Sequence, residues 1–131
     1  MIAHTTLPVS DYKKSKEFYG RVLEPLGYHL EMEYGEAAGF KDGTKEKSNT
    51  DFWIAVNSKG VVPLHLAFAA KNKKEVEAFY QAALAAGGKD NGAPGYRPDY
   101  WPGYYAAFAH DLDGHNIEAV YYDYSKIKAA K

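Results

Sequence analysis

The chain has 131 residues, 46% hydrophobic and 25% charged, which suits one globular domain or two small halves sharing a core and excludes wholesale disorder. Sixteen Lys and Arg against 17 Asp and Glu leave a formal charge of -1, so no strong field draws nucleic acid or an anionic membrane. The absence of cysteine excludes disulfides, thiol nucleophiles and thiolate metal sites, and with no span of ~20 apolar residues and no signal-peptide pattern over Met1 to Asp11 the expected setting is the cytoplasm.

In chain order, Ile2 to Val9 reads as a short strand broken at Pro8, and Ser10 and Asp11 offer a helix N-cap. Phe18, Tyr19, Val22, Leu23 and Leu26 then recur at helical spacing, predicting an amphipathic helix over Asp11 to Glu24 that ends at Pro25 and Gly27. Tyr28 to Tyr34 alternates as a strand, Gly35 and Gly39 punctuate a hairpin, Lys41 to Thr50 is a polar loop, and Asp51 to Val56 is a dense apolar strand. The pattern then restarts. Val61 to Ala70 is a strand, and Val76, Phe79, Tyr80, Ala83 and Leu84 mark a second helix ending at Gly87 and Gly88. Gly92 to Gly103, rich in Gly and Pro, reads as a loop. Tyr104 to His110 and His115 to Tyr122 are strands joined by the turn Asp111-Leu112-Asp113-Gly114, and Lys126 to Lys131 is a charged tail.

An offset of 61 residues aligns His4 with His65, Lys13 with Lys74, Phe18-Tyr19 with Phe79-Tyr80, Leu23 with Leu84 and Gly27 with Gly88, and sets Asp11 against Asn72 as capping residues. We read this as a duplicated strand–helix–strands unit rather than a chance match of two amphipathic helices. Duplication puts His4 and His65 on equivalent first strands, where two imidazoles and a carboxylate would suit a borderline divalent metal. Glu118, between Ile117 and Ala119, is the candidate carboxylate: ionised in an apolar strand it costs several kcal/mol unless paired. From the residues alone it could equally face water on an edge strand. His29, His110 and His115 lack partner spacing and are expected at the surface or in turns.

The opening (His4-Thr5-Thr6-Leu7-Pro8-Val9-Ser10-Asp11, with Phe18-Tyr19 and Leu26-Gly27) and the closing Asp111-Leu112-Asp113-Gly114-His115-Asn116-Ile117-Glu118 resemble the vicinal oxygen chelate superfamily. That superfamily includes glyoxalase I (lactoylglutathione lyase), fosfomycin-resistance proteins, extradiol dioxygenases, epimerases and metal-free bleomycin-binding proteins. The resemblance implies an α+β fold of two pseudo-twofold-related βαβββ modules, about 1–58 and 61–124 of a single domain 1–131, forming a cupped, barrel-like mixed sheet. It also implies a divalent metal (Zn, Ni, Mn, Co or Fe) held by His4, His65 and Glu118, with Glu118 doubling as the catalytic base. Glyoxalase I has a further Glu on the last strand of its first module; aligning Ile54 with Glu118 puts Ile54 there and leaves three protein ligands.

Strand alternation and the same analogy line the expected pocket with Thr6, Phe52, Trp53, Ile54, Arg97, Trp101, Tyr104 and Phe108, Arg97 being the cation near the mouth. The loop bearing Tyr96, Tyr100 and Trp101 is a rim of that pocket or an aromatic plug. The expected function is a metal-dependent lyase, isomerase or transferase acting on a small oxygen-chelating substrate, as a homodimer. Its rivals are a metal-free drug- or metabolite-binding protein and an Fe(II) extradiol dioxygenase.

Overall fold

The computed structural model describes residues 2–43 and 50–127. Two four-stranded mixed sheets each carry one helix. The first contains β1 (Thr5–Val9), β2 (Tyr28–Tyr34), β3 (Ala37–Asp42) and β4 (Phe52–Val56) in the order β1-β4-β3-β2, with α1 (Tyr12–Val22) after β1. The second contains β5 (His65–Ala69), β6 (Lys89–Tyr96), β7 (Tyr104–His110) and β8 (Asn116–Tyr122) in the equivalent order β5-β8-β7-β6, with α2 (Lys73–Ala85) after β5. In each sheet the first strand runs parallel to the last and the other pairs are antiparallel. The architecture is the expected α+β pair of units. The sheets stay separate, however, and do not close into a barrel.

The repeat is visible in the caps. The Asp11 side chain accepts from the Lys14 N–H, and the Asn72 side chain, 61 residues on, accepts from the Glu75 N–H. Each bond satisfies one of the free donors of a first helical turn. Phe18, Tyr19 and Val22 of α1, and Val76, Phe79, Tyr80 and Ala83 of α2, point inward from these starts. They meet one face of each sheet in a single shared core, where the Phe52 and Phe68 rings cross edge-to-face at 5.1 Å.

The segment from Gly92 to Tyr96 departs from the expected loop, since β6 continues to Tyr96 and the connection shrinks to residues 97–103. Being an edge strand, β6 tolerates Pro94, whose missing N–H need not face a partner, and it absorbs its glycines through register shifts against β7. Pro8 is likewise accommodated within edge strand β1 rather than breaking it. The first strand starts at Thr5 rather than Ile2, and the fifth at His65 rather than Val61. The expected polar loop falls largely on 44–49, and the last part of the tail on 128–131, both outside the described residues. No helix among the described residues is long and apolar enough to cross a membrane.

His115 corrects the expectation of a surface or turn residue. It is 0% exposed and joins the two halves of the chain. Its Nδ1 accepts from the Leu64 N–H at 2.9 Å, which requires that nitrogen to be unprotonated, so Nε2 carries the hydrogen and donates to the Pro8 carbonyl at 2.7 Å. Around it, Asp111 Oδ1 accepts from the N–H groups of Asp113 and His115, while Oδ2 accepts from the Tyr19 hydroxyl of α1. Asp113 accepts from the Ser10 N–H. Burial first, and then the Asp111 charge, push the Tyr19 hydroxyl well above its ordinary range, keeping it a donor.

His115→Ala removes the side-chain partner of the Leu64 N–H and of the Pro8 carbonyl and empties the fully buried site of the ring. The expected loss is about 2–4 kcal/mol of unfolding free energy, measured by urea denaturation. A loss below roughly 0.5 kcal/mol would show that the joint contributes little.

Candidate functional site

One face of each sheet lies under the helices, and alternation along the strands decides what the other face carries. In the second sheet, Ile117 and Ala119 enter the shared core, so Glu118 and Val120 project from the opposite face together with Ala106 and Phe108. Glu118 is nonetheless only 1% exposed. Its Oε1 lies 2.7 Å from His65 Nε2, and its Oε2 accepts from the Tyr104 hydroxyl. A carboxylate only accepts, so the His65 Nε2–H is the donor. Two charge-assisted hydrogen bonds offset the cost of holding this group away from water. Desolvation, reinforced by the bond to Glu118 and by its charge, pushes the Tyr104 hydroxyl up, so it remains a donor through the neutral range. The His65 side chain, by contrast, is 55% exposed. The pair therefore joins a buried acceptor to an imidazole that a solute can reach.

Register explains the meeting. Ala67 stands opposite Glu118 in the parallel ladder, and His65 lies two residues back on the same face. Phe108 stands opposite Glu118 on the other side, and its ring centre is 6.3 Å from that of His65. Asn116, opposite both His65 and His110, leaves its buried Oδ1 without a hydrogen-bond partner among the described residues, as does Nδ1 of His110. At one end of the face, Trp101 crosses Tyr122 edge-to-face at 5.5 Å, Tyr122 crosses Tyr104 at 5.5 Å, and Tyr104 crosses Tyr100 at 5.2 Å. These rings hold one another beside Glu118.

The eight expected pocket residues divide three ways. Arg97, Trp101, Tyr104 and Phe108 gather around the open face of the second sheet. Thr6 and Trp53 occupy the open face of the first, where Trp53 stacks on Tyr34 at 6.1 Å. Phe52 and Ile54 are corrected: both are buried in the shared core, Ile54 completely. The cause is a one-residue difference in register. Thr6, the counterpart of Ala67, pairs with Trp53, so Trp53 and not Ile54 occupies the place that Glu118 holds in the second sheet. Gly39 stands where Phe108 stands, and the missing side chain makes room for the indole: a Cβ there would come within 2.9 Å of the Trp53 ring. The first sheet thus has no carboxylate at the equivalent position, and it has a large aromatic in its place.

His4 precedes β1, is exposed, and lines a groove with Tyr28, Phe52 and Phe68; within one chain it does not join His65 and Glu118 in a group of three. Among the described residues no group of three or more His, Cys, Asp or Glu side chains is placed to hold a metal. The nitrogen and oxygen donors of His65 and Glu118 suit a divalent cation, but one chain brings together only two of the three expected ligands. The signals missed in the sequence were His115 and Asp111 as a joint and Tyr104 as the donor to Glu118. The cross-strand distance from Tyr104 to Glu118 depends on a β7–β8 register that composition does not specify.

A family model of the Glyoxalase/Bleomycin resistance protein/Dioxygenase superfamily matches residues 1–119. A search of curated protein sequences returned no match. Among solved structures, a glyoxalase/bleomycin resistance protein from Albidiferax ferrireducens T118 is 27% identical with a TM-score of 0.78, over 91% of this chain and 97% of that one. A glyoxalase-related enzyme from Fulvimarina pelagi is 21% identical with a TM-score of 0.69, over 92% of this chain and 87% of that one. TioX from Micromonospora sp. ML1 is 15% identical with a TM-score of 0.70, over 94% and 99% respectively. The last two likenesses are of fold. With the duplicated strand–helix–strands units, the two sheets and the matched residues in agreement, this chain belongs to the Glyoxalase/Bleomycin resistance protein/Dioxygenase superfamily.

Proposed function

We propose that the protein is a glyoxalase-type enzyme acting on a small oxygenated substrate over the open face of the second sheet, with Glu118 as its working group. The observation that carries this reading is a carboxylate almost fully buried outside the core, with one oxygen held by the Tyr104 hydroxyl and the other shared with a half-exposed His65. A stability role alone would be served as well by an apolar residue, since buried charge is seldom kept for stability. A proton leaving a substrate carbon beside a carbonyl can pass to Glu118 Oε1 once His65 turns aside. Tyr104 holds the carboxylate in place during that transfer.

The superfamily also implies a divalent metal, and we assign two of its ligands to His65 and Glu118. The third, His4, would come from a second copy of the chain. When bound, such an ion supplies Lewis-acid polarisation of a substrate oxygen. A second copy is supported by the uncovered apolar groups on the first sheet, where Tyr34 is 68% exposed beside Trp53 and Met32 is also exposed. Pairing through that face gives the homodimer expected from the sequence. The metal-free binding reading draws on a different observation, the edge-to-face ring cluster of Tyr100, Trp101, Tyr104 and Tyr122, which offers apolar contact independent of any ion.

Light scattering is expected to show a dimer. Metal analysis of protein purified without added metal is expected to find an ion that His4→Ala, His65→Ala and Glu118→Gln each release, with circular dichroism unchanged. Mixing the His4→Ala and His65→Ala proteins should restore about a quarter of the sites, because half of the random dimers are mixed and each holds one intact set. A monomer, or no recovery on mixing, would overturn the shared site. Ligand affinity unaltered by chelators would favour the metal-free reading.

The position equivalent to Glu118 in the first sheet is Trp53, which can neither ligate nor accept a proton. Conversion of the methylglyoxal–glutathione adduct is therefore expected to be weak or absent with Zn, Ni, Co or Mn reconstituted in turn. Robust turnover with any of these ions would show that one carboxylate suffices.

A further inference from the structure

Arg97 follows β6 and turns back over it. The guanidinium carbon lies 5.4 Å from the centre of the Phe108 ring, and Nη2 donates to the Ala93 carbonyl at 2.7 Å. Two glycines make the bed for this side chain. A Cβ on Gly92 would come within 3.2 Å of Nη2 and 3.0 Å of the Phe108 ring, and one on Gly95 within 3.1 Å of Nη1. Both glycines lie where β6 slips its register against β7, and Gly92 has a φ of 145°, which disfavours any other residue. The strand thus gives up regular pairing where the guanidinium rests. Among the described residues no carboxylate lies within ion-pair distance of Arg97. The group is half-buried, pinned by one backbone carbonyl, and has donors to spare.

Across the same ring stand His65, its ring centre 6.3 Å from that of Phe108, and Glu118, paired with Phe108 in the ladder. A cation and a carboxylate–imidazole pair therefore flank one aromatic ring. Resting on the reading of Glu118 as the reacting centre, we propose that Arg97 is the specificity-determining residue of this site. It binds the carboxylate of a monoanionic substrate whose second oxygen function, about one ring-width away, meets Glu118 and His65. A planar carboxylate suits a single guanidinium fork. Among the described residues Lys89, opposite His110, is the one further strand cation on this face; it lies a full cross-strand step beyond Phe108, and Glu118 adds a negative charge of its own, so a single negative charge is the better match.

The test titrates 4-hydroxyphenylacetate, its neutral amide, and phenylacetate into the purified full-length protein, followed by NMR. The wild type is expected to bind the acid at least about tenfold more tightly than the amide, as a charge-assisted pair allows. Arg97→Met should abolish that preference without weakening the amide, and Arg97→Lys should keep part of it. Gly92→Ala, which crowds the guanidinium, should reduce it. Equal binding of acid and amide by the wild type, retention of the preference in Arg97→Met, or no binding of the acid at millimolar concentration would each overturn the proposal. Glu118→Gln separates the two readings, because it should remove the preference for 4-hydroxyphenylacetate over phenylacetate and leave the preference for acid over amide. If the hydroxyl preference survives Glu118→Gln while Arg97→Met still abolishes the acid preference, Arg97 is supported and Glu118 as the reacting centre is not.

Discussion

One hydrogen bond of the His115 imidazole crosses between the halves of this protein, and a second anchors the ring within its own half. His115 sits between the Pro8 carbonyl of the first sheet's edge strand and the Leu64 N–H that leads into the second sheet. Because one partner donates and the other accepts, a single neutral tautomer satisfies both. Asp111 braces the arrangement by receiving two N–H groups of its own turn and the Tyr19 hydroxyl from α1. The acidic turn that marks the superfamily in the sequence therefore has a structural role here, and β8 begins directly from it. Any shift of that turn would move Asn116 and Glu118 with it.

From this joint the two sheets diverge in chemistry while keeping the same topology. Each buries one face against a common layer of helices, and Phe52 meets Phe68 where the two inner faces touch. The outer face of the second sheet holds a buried carboxylate, an imidazole, a tyrosine hydroxyl and a guanidinium around Phe108. The outer face of the first holds Trp53 over Gly39, with Tyr34 stacked beside it. Duplication supplied two equivalent faces. One face gathered polar and ionisable side chains, and the other became aromatic. A buried carboxylate is costly, and its retention with two dedicated donors on a face outside the core points to use rather than to stability.

Much of the architecture was legible in the sequence because it rests on local rules. Helical spacing, capping residues and the 61-residue offset locate α1 and α2, and the structure shows the same cap hydrogen bond at both starts. Alternation along Asn116–Tyr122 put Glu118 opposite the core-facing Ile117 and Ala119. The edge strand β6 was not legible, because Gly and Pro in a sequence read as a loop wherever the neighbouring strand is unknown, and only an edge position tolerates them.

By itself, the sequence determined the duplication and, through the resemblance carried by its opening and closing motifs, the α+β class, the superfamily to which the chain belongs, and His65 and Glu118 as candidates for one site. Only the tertiary structure decided which residue of β4 matches Glu118. Side chains alternate with a period of two, so an alignment wrong by one residue exchanges the core for the open face and turns Ile54 into Trp53. Tertiary structure likewise decided the fate of the histidines. A spacing of 61 makes His4 and His65 equivalent within their own units, but equivalence is not proximity. Two separate sheets leave His4 at a groove and His65 beside Glu118, while the unpaired His115 is drawn inside because two backbone groups there require one ring that can both donate and accept.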